Sequence, residues 1–130
     1  MGKKKVLVVD DEVDFVELIQ MRLKSEGYEV ITANNGRDAL ERIKADKPDA
    51  IILDIMMPEL DGLSVLKEVR QKDKRIPIFI VTAFSNEEKI RIAGEFNASG
   101  FIIKTQDLGK ELKAISAAIE IAEKFKGESG

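Results

Sequence analysis

The chain carries its reactive-looking side chains at the ends of apolar runs. VLVVDDE (6–12) passes from four apolar residues straight into Asp10, Asp11 and Glu12; AIILD (50–54) ends on Asp54; PIFIVT (77–82) ends on Thr82; GFIIK (100–104) ends on Lys104. Two like charges about 4 Å apart repel by roughly 4 kcal/mol at an intermediate protein dielectric. Acids crowded at a strand end therefore imply a compensating cation or side chains that diverge. There is no His and no Cys, which excludes imidazole acid–base work, thiolate chemistry and zinc or haem ligation. Carboxylates without softer ligands suit a hard divalent ion. Mg²⁺ fits best, because it takes oxygen ligands, keeps waters and usually binds one or two carboxylates beside a phosphate.

Something must bring those strand ends together. Short apolar runs at 6–9, 28–32, 50–53, 77–81 and 100–104 alternate with stretches of helical spacing. Phe15, Leu18, Ile19 and Leu23 mark a first helix stopped at Gly27, and Ala39, Leu40 and Ile43 a second, broken at Pro48. Leu63, Leu66 and Val69 mark a third after the punctuated loop IMMPELDG (55–62). Residues 86–97 read as a weak fourth containing Gly94, and Leu108, Leu112, Ile115, Ile119 and Ala122 line the last. The expected class is α/β, a (βα)5 doubly wound five-stranded parallel sheet, since nearly all-apolar strands need helices on both faces. In such a sheet ligands bind at the carboxyl edge. Asp10, Asp11, Asp54, Thr82 and Lys104 then share one crevice.

The bulk numbers agree with one domain. The chain has 130 residues, 44% hydrophobic and 35% charged, with 21 basic against 24 acidic residues for a net charge of −3. That balance gives no nucleic-acid footprint, and no stretch approaches the ~20 apolar residues of a membrane span. The expectation is a cytoplasmic protein with no membrane and no direct nucleic-acid contact. Its domain is expected over 4–124, with 125–130 a flexible tail or linker stub.

Asp10-Asp11, Asp54, Thr82-Ala83 and Lys104, with Pro58 and Gly62 downstream of Asp54, resemble the receiver domain of bacterial two-component response regulators, the CheY-like superfamily. The resemblance spans about Lys4 to Lys124. It implies a flavodoxin-like sheet of strand order 2-1-3-4-5 and a Mg²⁺-dependent, phosphorylation-activated switch. Asp54 would accept the phosphoryl group from a sensor histidine kinase or phosphotransfer protein. Asp11, Asp54 and the Met56 backbone carbonyl would ligate the metal directly, with Asp10 acting through water. Thr82 and Lys104 would contact the phosphoryl oxygens, and Thr82 and Phe101 would form the switch, with core packing the competing reading of Phe101. The fourth helix, fifth strand and fifth helix would carry output to a homodimer partner or target. The phosphoacceptor would assist only its own modification, so no enzyme acting on a separate substrate is implied.

Three departures stand out. Many receivers have Pro after the strand-five Lys, whereas this chain has Thr105, and a cis bond there would cost about 3–4 kcal/mol. Thr105 or Asp107 could instead cap the last helix. Met56 and Phe84 are both apolar where side chains would orient an attacking water, which implies slow self-hydrolysis, with small Ala83 leaving donor access open. Finally, Ala114, Ala118, Ile121 and Phe125, with Ile92 and Phe96, form apolar stripes beside the core-facing ones, as expected of helices with two partners. Two other functions compete. A Mg²⁺-dependent phosphohydrolase would want Asp-x-Asp after the first strand, where Glu12 follows Asp10 by two. A nucleotide- or flavin-binding domain would want a glycine- or hydroxyl-rich loop, where DDEVD stands. A receiver-like module that is never phosphorylated remains the third alternative.

Overall fold

The computed structural model describes residues 4–57, 61–82, 87–104 and 107–129. Five strands alternate with five helices: β1 (Lys5–Val9), α1 (Val13–Ser25), β2 (Glu29–Ala33), α2 (Gly36–Asp46), β3 (Ala50–Asp54), α3 (Gly62–Lys72), β4 (Ile78–Thr82), α4 (Glu87–Glu95), β5 (Gly100–Ile103) and α5 (Leu108–Ser129). The strands form one parallel sheet in the order β2-β1-β3-β4-β5, as the resemblance implied.

The apolar runs work by alternation. Successive side chains of a strand point to opposite faces, and both faces are covered. Leu7 and Val9, Ile51 and Leu53, and Ile78 and Ile80 pack with Ala39, Leu66 and Ala93 on the side of α2, α3 and α4. Val6 and Val8, Ala50 and Ile52, and Phe79 and Val81 pack with Phe15, Ile19, Leu23, Ile115 and Ile119 on the side of α1 and α5. The central strands β3 and β4 are buried at every position, so their sequence shows no polar alternation at all.

Helix starts follow local chemistry. Asn35 caps α2 by accepting from the Asp38 N–H (2.8 Å), and Asp61 caps α3 by accepting from the Ser64 N–H (2.9 Å). At the end of α1, Gly27 takes φ +96°, which glycine adopts without a Cβ penalty. The structure extends α5 through the segment 125–129 that the sequence marked as tail, because no proline interrupts it and a lone Gly127 costs only about 1 kcal/mol. Among the described residues, no helix is long and apolar enough to cross a membrane.

Candidate functional site

Register builds the site. Val9 pairs with Leu53, so Asp10 emerges beside Asp54; Asp54 pairs with Val81, one residue before Thr82; Thr82 pairs with Ile103, one residue before Lys104. The Lys104 N–H continues the ladder by donating to the Thr82 carbonyl (2.7 Å), and the Asp10 N–H donates to that of Ala33 (3.1 Å). By alternation Asp10, Asp54 and Lys104 share the face covered by α1 and α5, while Thr82 shares the face of α3 and α4. Four short apolar strands thus deliver two carboxylates, a hydroxyl-bearing residue and an ammonium to one edge.

The acids and the lysine meet closely. Lys104 Nζ lies 2.7 Å from Asp10 Oδ2, 2.6 Å from Glu12 Oε1 and 3.7 Å from Asp54 Oδ2. It also stands over the Phe15 ring, 4.5 Å from its centroid. Asp54 Oδ1 accepts from the Met56 N–H (2.9 Å), and Asp10 Oδ1 accepts from the Glu12 N–H (2.9 Å). Asp10 and Asp54 are each only 3% exposed, and Thr82 is fully buried.

Burial dominates the charge balance here. It pushes the Asp54 carboxyl up to about 7; the Met56 N–H opposes the rise, and the negative charge of Asp10 adds to it. Burial likewise raises Asp10, against the pull of Lys104 and the Glu12 N–H. For Lys104 burial works downward, but its bonds to Asp10 and Glu12 outweigh that and raise it. One ammonium is shared among three carboxylates, so negative charge remains in surplus.

That surplus suits a cation. Oxygen atoms of Asp10, Glu12 and Asp54 lie within 4.8 Å of one another, the only such group of three among the described residues. Two oxygens on one Mg²⁺ stand about 3–4 Å apart, given metal–oxygen distances of about 2.0–2.1 Å. The all-oxygen chemistry of this set matches the ion.

Asp11, expected in the crevice, and Glu12, not expected there, differ in placement. Asp11 is exposed and stands outside the cluster, whereas Glu12 belongs to it. β1 ends at Val9 and the chain bends at Asp11, which leaves Asp11 exposed and returns Glu12 to Lys104. The sequence shows Glu12 among the acids after the first apolar run without giving it a place in the crevice. Glu12 does occupy the N-cap position of α1, but its side chain makes no cap hydrogen bond and is engaged by Lys104. Phe15 also went unrecognised, because its spacing with Ile19 and Leu23 reads as core.

The rest of the set lies around the rim. Met56 is exposed, with Sδ 3.1 Å from Lys89 Nζ. Gly62 is required by space: a Cβ there would stand 2.2 Å from the Asp54 carbonyl oxygen and 2.6 Å from the Ile55 Cα. Phe101 is 38% exposed at the edge strand, which sets aside plain core packing. Asp107 caps α5 by accepting from the Lys110 N–H (3.1 Å). Ile92 and Phe96, expected on a face apart from the core, pack partly against it, because Phe96 sits in the turn that folds back beneath α3. Exposed apolar area on this side comes instead from Phe101, Ile103 and Ile121. Pro58, Ala83, Phe84 and Thr105 lie outside the described residues, as do the Lys104–Thr105 bond and the side chains of Leu108 and Phe125.

The model of the response regulator receiver domain matches residues 6–116. This chain belongs to that family. It is 42% identical over 123 residues to the alkaline phosphatase synthesis transcriptional regulatory protein PhoP of Bacillus subtilis, covering 92% of this chain and 51% of PhoP. The chain spans about half the length of the curated relatives it matches. Among solved structures it superposes on the phosphorylated cyanobacterial phytochrome response regulator RcpA with a TM-score of 0.82 at 28% identity, covering 89% of this chain and 91% of that one. The Mn²⁺-bound form of response regulator Rcp1 superposes with a TM-score of 0.79 at 27% identity, covering 88% and 90%. The receiver is a phosphorylation-activated switch, and its acidic pocket is present here as Asp10, Glu12 and Asp54.

Proposed function

We propose that Asp54 is the phosphoacceptor. The observation that carries this is its placement: a buried carboxylate at the end of β3, with one oxygen held by the Met56 N–H and the other 3.7 Å from the Lys104 ammonium. A carboxylate oxygen of Asp54 attacks the phosphorus of a phosphohistidine on a sensor kinase or phosphotransfer protein. An O–P bond forms as the N–P bond breaks, and the electron pair leaves on the imidazole nitrogen, which then takes a proton. Phosphoryl transfer needs in-line placement and neutralisation of oxygens more than acid–base chemistry. Lys104 supplies positive charge and Thr82 a hydroxyl toward those oxygens.

The residues that would hold Mg²⁺ are Asp54, Asp10 and the Met56 carbonyl, with Asp11 and Glu12 the two candidates for the remaining carboxylate. The ion would supply charge neutralisation between the acids and the incoming phosphoryl group. Titrations of Mg²⁺ binding with Asp11→Asn and Glu12→Gln identify which of the two is a ligand. The chain works in the cytoplasm as a switch rather than as an enzyme on a separate substrate. Movement of Thr82 and inward rotation of Phe101 would bias an existing two-state equilibrium. Output then passes through the α4–β5–α5 face to a second copy or a target. With apolar Met56 and Phe84 in place of water-orienting groups, the acyl phosphate is expected to persist for many minutes, and release within seconds would refute that.

Incubation with acetyl phosphate tests the reading. Intact mass should rise by one phosphoryl group with Mg²⁺ present, and stay unchanged with chelator or in Asp54→Ala. Equal modification of Asp54→Ala would overturn it.

A further inference from the structure

Lys104 has a long, flexible stem, so its ammonium needs restraints from outside its own strand. The closest restraints seen here come from one short segment, with Asp54 farther off at 3.7 Å. Asp10 and Glu12 hold two of its N–H donors at 2.7 and 2.6 Å, and the face of Phe15 lies beneath it at 4.5 Å. These restraints differ in kind. The carboxylates compete for the donors that a phosphoryl oxygen would need. The ring face attracts the cation through its quadrupole and consumes no donor. Its position is also fixed, because Phe15 is 7% exposed and packs in the cluster of Val6, Val8, Ile19 and Leu23.

We propose that Phe15 is a positioning residue for phosphoryl uptake: its ring face sets the place of the Lys104 ammonium beside Asp54, so that the side chain points at the incoming oxygens when Asp10 and Glu12 release it. The proposal rests on the role given above to Lys104 and adds a requirement for an aromatic face on α1. Desolvated cation–ring contacts are worth enough to change a rate by roughly three- to thirtyfold. An aliphatic residue of similar burial would keep the core and lose the ring.

The test is a double-mutant cycle read by acetyl phosphate-driven modification with Mg²⁺, together with NMR of the unmodified protein. In wild type the Lys104 side-chain protons should show an upfield ring-current shift, which Phe15→Leu removes and Phe15→Trp keeps. Phe15→Leu should slow modification roughly three- to thirtyfold, Phe15→Trp should restore most of the rate, and Phe15→Leu should add nothing once Lys104→Met is present. Equal slowing by Phe15→Leu in the Lys104→Met background would show a merely structural role and overturn the proposal. So would an unchanged rate in Phe15→Leu, or a wild type without the ring-current shift. Lys104→Met that is as fast as wild type would overturn the role of Lys104 itself, a separate failure visible in that variant alone.

Discussion

Lys104 and Arg70 are both cations with little exposure to solvent, and their surroundings differ in kind. Lys104, with a side chain 9% exposed, sits among the carboxylates of Asp10, Glu12 and Asp54 at the carboxyl edge of the sheet. Arg70, 7% exposed near the end of α3, is surrounded by neutral carbonyls. Its Nε donates to Phe96 (3.3 Å) and Asn97 (3.2 Å), Nη2 to Asn97 (2.8 Å) and Nη1 to Asp73 (3.1 Å). Beside it Lys67 stands over the Phe96 ring at 5.3 Å. The carbonyl-rich end of a helix favours a cation, and the planar guanidinium fits several oxygens together. Burial lowers the Arg70 pKa, opposed by Asp73, yet a guanidinium stays charged. Arg70 therefore ties α3 to the turn after α4 with its donors matched to acceptors. The Lys104 region instead keeps a surplus of negative charge, which lowers stability and suits a cation.

Removing a charge should thus have opposite consequences in the two regions. The largest effect is expected at Arg70: Arg70→Met should lower unfolding free energy by about 2–4 kcal/mol in urea titrations, since several buried carbonyls lose their donors. Arg70→Lys should recover only part of this, because one ammonium cannot reproduce the fork. A loss below about 0.5 kcal/mol for Arg70→Met would place it with ordinary surface substitutions and break the comparison.

Asp54→Asn should do the reverse and raise stability at pH 7.5, with chelator present, by about 1–3 kcal/mol. The sign follows from titration. Asp54 ionises near 7 in the fold against 3.8 as its ordinary value. Its stabilising contribution is fully present below pH 3.8 and is lost as pH rises through 7. The advantage of Asp54→Asn over wild type should therefore widen from pH 5 to pH 7.5, and a constant gap would contradict the assignment. Adding Mg²⁺ at ten times its Kd should then stabilise wild type by about 1.4 kcal/mol, and Asp54→Asn less at the same concentration. The smallest effect is expected at Phe101, where Phe101→Ala should cost less than about 1 kcal/mol because the side chain already meets solvent.

The same two regions show what a sequence exposes. Asp10, Asp54, Thr82 and Lys104 could be placed together because each follows an apolar run whose length and parity fix where the next side chain points. Strand order needed the family resemblance, since periodicity does not say which strands are neighbours. The resemblance put Asp11 in the crevice and not Glu12; both are acids after one strand, and only the turn at 10–12 decides which faces Lys104. Phe15 was hidden by its dual use, its helical spacing being that of a core residue. Arg70 gave no signal either, because its partners are backbone carbonyls, most of them 26 and 27 residues away, and a backbone carbonyl has no residue type to read.

The central claim is that one particular carboxylate takes the phosphoryl group. Borohydride reduction after acetyl phosphate treatment converts an acyl-phosphorylated aspartate to homoserine, which peptide mass mapping locates. The account predicts homoserine at position 54 alone, dependent on Mg²⁺. Homoserine at position 10 or 11, or none after full exposure to donor and metal, would contradict it.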